Sequence, residues 1–312
     1  MTDNSRYEVI VVGGGAAGLS AALVLGRARR RTLVVDAGEP RNAPSAHMQG
    51  YLSRDGMSPA DFLAVGREEI ARYGVELVRD RVTGAGRDGE GFTVRLAQGR
   101  TVHARQLVIA TGLRDELPDV PGLAERFGRD VVHCPYCHGW EVRDRPTGVL
   151  ATSPLSVHQA LMVTQWSDDV RLFLHEVAES ELTDVDLRRL AAARVAVVPG
   201  RVTGLVVDDD RLTGVRLVDG TVHDRAVLYA APRAVPRNDL LVTLGAELRE
   251  TPFGSYPVID ERGLTTVPGL WAAGNASGFA EQVINSASRG YRAGSAINGE
   301  LLMADLDAKV QV

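Results

Sequence analysis

Cysteine is all but missing from this chain: its 312 residues hold two, Cys134 and Cys137. So tight a pair would restrain little of the unfolded chain, which excludes a disulfide as the main structural staple. Lysine is rarer still, Lys309 standing alone, so the positive charge rests on arginine. An excess of that charge is missing too, and a net charge of −5 gives no reason to expect nucleic acid as a partner. No apolar run approaches the ~20 residues that span a bilayer. Residues 1–7 lack the basic segment and apolar core of a secretory signal, and a cytoplasmic location is the expectation. What remains, 45% hydrophobic and 24% charged residues, is the composition of a soluble globular protein long enough for two domains, each with its own core.

Both cysteines fall in one stretch near the middle, Val132-His133-Cys134-Pro135-Tyr136-Cys137-His138-Gly139. Two thiols three apart close one ring, and a neighbouring base or cation lowers a thiol's pKa until the reactive thiolate forms near neutrality. Cysteine, two residues, cysteine, histidine is also the attachment signature of c-type haem, which requires export. His133, Cys134, Cys137 and His138 are candidate zinc ligands, but adjacent residues do not easily wrap one tetrahedral ion, and a second, separated ligand pair is not evident. A catalytic dithiol needs neither missing context. The Cys-Pro-Tyr-Cys core also resembles glutaredoxins, whose motif stands near the N-terminus of a small single domain; its mid-chain place here argues for another scaffold.

Upstream, an apolar run over residues 7–12 ends in Gly13-Gly14-Gly15-Ala16-Ala17-Gly18, and an Ala/Leu-rich helical stretch follows over 19–30. Strand, tight turn and helix is the pattern of a dinucleotide fold. Gly13 permits the turn, Gly15 lets the backbone approach a pyrophosphate, and Gly18 lets helix and strand pack closely. The next strand, 31–35, leads to Asp36, eighteen residues past Gly18, where a carboxylate accepts from ribose hydroxyls. A polar loop from Gly38 runs through Arg41, Asn42 and His47 to a helix predicted from Pro59; it either lines a cofactor or is a solvated connection.

Two segments repeat each other. Arg81-Val82-Thr83-Gly84 returns as Arg201-Val202-Thr203-Gly204, and Thr101-Val102-His103 as Thr221-Val222-His223, both 120 residues on. Each copy leads through alternating strands to a buried one, 106–110 or 226–230. The expectation is an α/β protein of two related dinucleotide-binding, Rossmann-like three-layer domains. The second glycine turn should follow the strand 147–150, yet Ala151-Thr152-Ser153-Pro154-Leu155-Ser156 contains no glycine, and Pro154 has no amide proton to offer. After the strand 170–174, Glu176 and Glu179 stand where an NADP site wants arginines. The second nucleotide site therefore reads as lost. Near the end, the strand before Gly274 breaks at that glycine, and Asn275 is placed to bond a sugar-alcohol chain. A helix over 282–301 would present its first amides, at Gln282 and Val283, to an electron-rich ring edge, unless the segment merely closes the sheet.

Taken together, the glycine turn, Ala110-Thr111-Gly112, the central cysteine pair and Gly274-Asn275 resemble the low-molecular-weight thioredoxin reductases over nearly the whole chain. The resemblance implies an FAD domain from residues 1–115 and 245–312, with an inserted domain, 116–244, whose cysteine pair faces the flavin. The chain departs from those reductases in its missing NADPH turn, and in His138 and Asn275, where they carry aspartates. These departures are similar to those of the thioredoxin-reductase-like dithiol oxidases, of the gliotoxin and holomycin type, which use FAD and molecular oxygen in natural product biosynthesis. The Pro40-Arg41-Asn42 loop with His47 and the Val157-His158-Gln159-Ala160 helix look like that branch as well.

By this resemblance FAD is contacted by Gly13, Gly14, Gly15, Ala16, Ala17 and Gly18, by Asp36, Ala37, Arg41, Asn42 and His47, and by Val82. Ala110, Thr111, Gly112, Gly274, Asn275, Gln282 and Val283 complete the set. No metal is implied; a homodimer is. The implied reaction carries electrons from a small-molecule dithiol to oxygen: a substrate thiolate opens the disulfide at Cys134, the second substrate thiol closes the product disulfide, and Cys137 passes the electrons to the flavin. His138 is the candidate acid and base, His133 the second choice. The alternatives are an NADPH- or ferredoxin-dependent thioredoxin reductase with a thioredoxin-like partner, and a non-enzymatic redox sensor that keeps FAD as a structural element.

Overall fold

The computed structural model describes residues 5–89 and 91–310. Residues 1–4, on which part of the signal-sequence expectation falls, lie outside the described residues. The chain divides into two compact units: residues 1–43, 57–114 and 234–312 form the first, and residues 44–56 and 115–233 the second. The two passages between them, Leu113–Glu116 and Arg233–Pro236, pair as a two-stranded ribbon. Residues 234–244 pack with the first unit because Leu241, fully buried, and Leu244 belong to its core.

At the centre of the first unit, strand Arg6–Val12 runs parallel between Thr32–Asp36 and Thr101–Ile109. Glu76–Arg79 extends the parallel set on one side and Leu270–Ala272 on the other. Such strands are covered on both faces, so they read as continuous apolar runs rather than alternating ones, and Val9 to Val11, Leu33 to Val35 and Leu107 to Ile109 are essentially unexposed. Helices Ala16–Arg27 and Val283–Val310 cover one face, where Leu19, Leu25, Trp271, Ala293 and Ile297 share a core. Gly290 and Gly294 allow their close approach: an added Cβ would lie 2.0 Å from the Ala17 carbonyl oxygen and 2.7 Å from that of Ala21.

The second unit repeats the plan. Its five parallel strands run Ala196–Val198, Val170–Phe173, Thr147–Leu150, Val227–Ala230 and Val131–Val132, beside an antiparallel set of Val202–Asp208, Arg211–Leu217 and Val222–Asp224. The tetrapeptide repeat in the sequence marks a repeated irregularity. Val82 pairs with Leu96 and Val202 with Leu217, and in both copies the register slips between that valine and the glycine two residues on. The units differ in their fifth parallel strand, which comes from late in the chain in the first unit, Leu270–Ala272, and from before the other strands in the second, Val131–Val132.

Helix boundaries moved from their expected places for local reasons. Helix Ala16–Arg27 starts directly behind Gly15, whose extended backbone caps it. The last helix continues to Val310 because residues 302–310 contain no glycine or proline to stop it. No helix among the described residues is long and apolar enough to cross a membrane.

Candidate functional site

Strand Val131–Val132 carries the chain to the carboxyl edge of the second sheet, in register with Leu228 and Tyr229. His133 follows, then Cys134 in extended conformation, then a single helical turn, Pro135–His138. Pro135 suits the first helical position, where its ring presets φ and its missing amide is not needed. The amides of Cys137 and His138 both donate to the Cys134 carbonyl, at 3.1 and 3.2 Å. This turn sets the two cysteine Cα atoms 5.2 Å apart and joined as a disulfide. Gly139 is required behind it, since an added Cβ would stand 2.6 Å from both the Pro135 carbonyl oxygen and the Trp166 ring.

His138 is oriented by Ser45, whose Oγ lies 3.3 Å from Nε2. Ser45 Oγ is also placed to donate to the His47 carbonyl, at 3.1 Å. His138 Nδ1 is buried without a hydrogen-bond partner. Burial holds the pKa below the usual histidine value, against the opposing pull of the Cys134 carbonyl and Glu141. A neutral imidazole beside the disulfide is a proton acceptor near neutrality. His133 takes part through its backbone: its carbonyl accepts from Gln159 Nε2 at 2.6 Å.

In the first unit, parallel strands end together at Val12, Asp36, Ile109 and Ala272, and most of the expected cofactor residues gather at that edge. Gly13 has φ +108°, and a Cβ there would stand 2.3 Å from the Ala110 carbonyl oxygen; at Gly18 it would stand 1.9 Å from the Gly13 oxygen. At Gly15 an added Cβ meets nothing, so packing does not explain the bare backbone. The first-turn amides of Ala16–Arg27 have no partners within the helix, and Gly15 supplies no capping side chain. An open, amide-lined cradle of this kind suits a pyrophosphate. Asp36 accepts from the Gly14 amide at 3.1 Å, with Ala37 next to it, and Val82 opens the strand that follows Asp80, whose amide donates to the Asp36 carbonyl at 3.1 Å.

Other members fall at the same edge with roles the sequence did not disclose. Thr111 Oγ1 donates to the Arg237 carbonyl at 2.7 Å and the Gly112 carbonyl accepts from the Arg237 amide at 3.1 Å, which fixes the 110–112 turn. Gly274, at φ +66°, sits over the first helix, where a Cβ would be 2.8 Å from that of Ala17. Asn275 spends its side-chain amide on the carbonyls of Gly278 and Phe279, at 3.2 and 2.9 Å, and its oxygen lies 3.5 Å from Arg41 Nη1. It organises its own loop. Asn42 shares the Arg41 turn, and the Gln282 carbonyl accepts from Ser286 at the start of the helix that Val283 opens. His47 stands apart from this set: it belongs to the second unit, with Nδ1 3.1 Å from the Gly56 carbonyl oxygen.

The corresponding turn of the second unit is built differently. Helix Ser156–Val163 follows the glycine-free turn, and the amides of Ser156, Val157 and His158 already donate to the carbonyls of Ser153, Pro154 and Leu155 at 2.9, 3.2 and 3.1 Å. Ser156 Oγ also takes the Thr152 amide, at 3.2 Å. Ser45 is a functional candidate that residue-type reasoning did not single out, since its partner His138 lies 93 positions along the chain and a polar loop residue carries no signal of its own; Gln159, in the segment the resemblance marked, finds its partner in the His133 carbonyl.

Over residues 7–294 the chain matches the family described as pyridine nucleotide-disulphide oxidoreductase. Thioredoxin reductase sirT of Leptosphaeria maculans is 32% identical, over 98% of this chain and 97% of that protein. Thioredoxin reductase tcpT of Claviceps purpurea is 31% identical, over 100% and 99%. Among solved structures, HlmI aligns with a TM-score of 0.94 at 50% identity, covering 100% of this chain and 97% of its own. The chain therefore belongs to the pyridine nucleotide-disulphide oxidoreductase family, as a thioredoxin-reductase-like flavoprotein that acts on thiols and disulfides.

Proposed function

We propose that the protein is an FAD-dependent dithiol oxidase, which closes an intramolecular disulfide in a small-molecule dithiol of natural product biosynthesis with molecular oxygen as acceptor. It works as a cytoplasmic homodimer. One observation carries the reading: a closed cysteine pair in a unit whose nucleotide turn lacks glycine and whose first helix amides are already spent. NADPH then has no cradle from which to deliver electrons, and the pair takes them from a substrate thiol.

The first unit holds FAD, with Gly13 to Gly18 against the pyrophosphate and Asp36 toward the ribose, as the open face at Gly15 suits. FAD bound there supplies the two-electron acceptor for the reduced cysteine pair and the onward route to oxygen. His138 takes the proton of the first substrate thiol. That thiolate attacks Cys134 Sγ, breaking the Cys134–Cys137 bond and leaving Cys137 as a thiolate. The second substrate thiol releases its proton to solvent and attacks the mixed disulfide; the product disulfide forms and Cys134 leaves as a thiolate, which His138 protonates with the proton it took from the first thiol. The substrate loses two electrons and the cysteine pair gains them.

Anaerobic mixing of the yellow protein with a small dithiol tests the reading. The dithiol should bleach the flavin, NADPH should not, and air should restore the colour with oxygen consumed; Cys137→Ser should bring oxygen uptake to background. Bleaching by NADPH instead would establish a reductase. A flavin indifferent to both reagents would point to a ferredoxin-driven reductase or a redox sensor.

A further inference from the structure

Two short turns at the carboxyl edge of the first sheet are bridged to each other, one after strand Thr32–Asp36 and one after strand Glu76–Arg79. The strands are parallel, with Asp36 opposite Arg79, so their ends stand about 4.8 Å apart. Glu76–Arg79 is the last strand on that side of the sheet. The Asp80 amide donates to the Asp36 carbonyl at 3.1 Å, and the Asp80 carboxylate takes the amides of Arg81 and Gln98 at 2.7 and 3.2 Å, which fixes the second turn. Arg81 reaches across to Glu39 of the first turn, at 2.5 Å.

Arg79 reaches across as well, but no carboxylate among the described residues pairs with it. Its one hydrogen bond, to the Gly38 carbonyl, is long at 3.4 Å. The guanidinium instead folds over the glycine: an added Cβ on Gly38 would lie 2.0 Å from Cζ, 2.0 Å from Nη2 and 2.3 Å from Nε. Three atoms of one plane so nearly equidistant from a point place that point over the plane, so the guanidinium lies flat against Gly38. Its other face is turned away from the backbone, and the residue is exposed. Surface arginines usually extend into water or meet an acid; this one is folded flat and left without one.

We infer that the outer face of the Arg79 guanidinium is the platform on which the adenine ring of FAD stacks, and that Arg79 thereby selects the dinucleotide over the mononucleotide. The order of the strands carries the assignment. The pyrophosphate cradle at Gly15 follows the first strand, and Asp36, toward the ribose, ends the next one out. The base joined to that ribose falls one strand further, where Arg79 stands at the sheet's edge. Planar guanidinium groups stack on aromatic rings and bases, whereas an ammonium supplies charge without a plane. The bare backbone at Gly38 is what lets the group lie flat. The inference rests on the first unit as the holder of FAD, and is independent of the final electron acceptor.

Full-length protein freed of flavin is titrated with FAD and with FMN, read by flavin fluorescence. Arg79→Ala and Arg79→Lys, each first confirmed to be folded by circular dichroism, are compared with the wild type. Both substitutions should weaken FAD about tenfold and lower the ratio of FAD to FMN affinity by about the same factor, because FMN has no adenine to lose. Equal weakening of FAD and FMN would mean that Arg79 acts only as a charge near phosphate, and overturns the platform. So would wild-type FAD affinity in either variant, or a wild type that binds FMN as tightly as FAD. A wild type that takes up neither flavin would sink the reading of the first unit instead.

Discussion

Packing decides whether His138 carries a proton. Its ring is held neutral by burial, as is that of His175 in the same unit, both below the usual histidine value. In the unfolded chain both titrate near ~6.5, so as pH falls through that value the unfolded state takes up protons that the native state refuses. The stability from the two neutral rings is complete above ~6.5 and is lost as pH falls toward the lowered native values. The urea midpoint should therefore drop on acidification from about pH 7.5 to about 5.5, and drop less in His138→Gln. The same variant should slow disulfide opening by a dithiol about a hundredfold, as loss of a general base does, measured by anaerobic stopped flow. Asn275 makes a second residue-scale test. An aspartate there would lose two donors and set a carboxylate against the Gly278 and Phe279 carbonyls. Asn275→Asp should retain flavin roughly tenfold more weakly, read by equilibrium dialysis. His138 was legible beside Cys137 in the sequence, whereas Ser45, 93 positions away, was not. Chain order names the base, but folding chooses the hydroxyl that orients it.

Among the elements, the helix pair Ala16–Arg27 and Val283–Val310 shows how one residue type serves opposite ends. Gly290 sits where the helices touch and Gly299 where a Cβ meets nothing. Gly290→Ala forces a methyl into the Ala17 carbonyl and should cost about 2 kcal/mol, more than the helix propensity it gains. Gly299→Ala meets no such obstacle and should add up to about 1 kcal/mol. Paired thermal melts decide both. Such a contrast is invisible in sequence, where both glycines merely weaken a helix. The first glycine turn was readable because strand, turn, helix and Asp36 are close along the chain. Its three roles differ in cause: a positive φ at Gly13, contact at Gly18, and at Gly15 an open space that only a ligand's approach explains. The repeated Arg-Val-Thr-Gly segments were equally legible, since each fixes a bulge of one extra residue in its own sheet.

For the molecule as a whole, the two units carry separate cores, and the tryptophans divide between them: Trp271 is fully buried in the first, Trp140 and Trp166 belong to the second. Unfolding with two cores has no reason to be a single transition. In Trp271→Phe, tryptophan fluorescence reports on the second unit alone while flavin release reports on the first. The two denaturant curves should not coincide; superimposed curves would mean the units unfold as one. The α/β class and the duplication could be read from the sequence, because apolar runs and repeats are local patterns. The loop 44–56 gave no sign of which unit it joins, since that depends on contacts such as Pro44 against Gly128.

The origin of the fifth parallel strand sets a timetable for synthesis. The sheet around the cysteine pair takes all its strands from residues 131–230, so it can close without any strand made later in the chain. The sheet at the glycine cradle waits for Leu270–Ala272 and for the helix that packs over it. Each new molecule thus passes through an interval in which its thiols are already folded into place and its flavin half is unfinished. During that interval the cellular thiol pool, rather than the cofactor, sets whether Cys134 and Cys137 are joined.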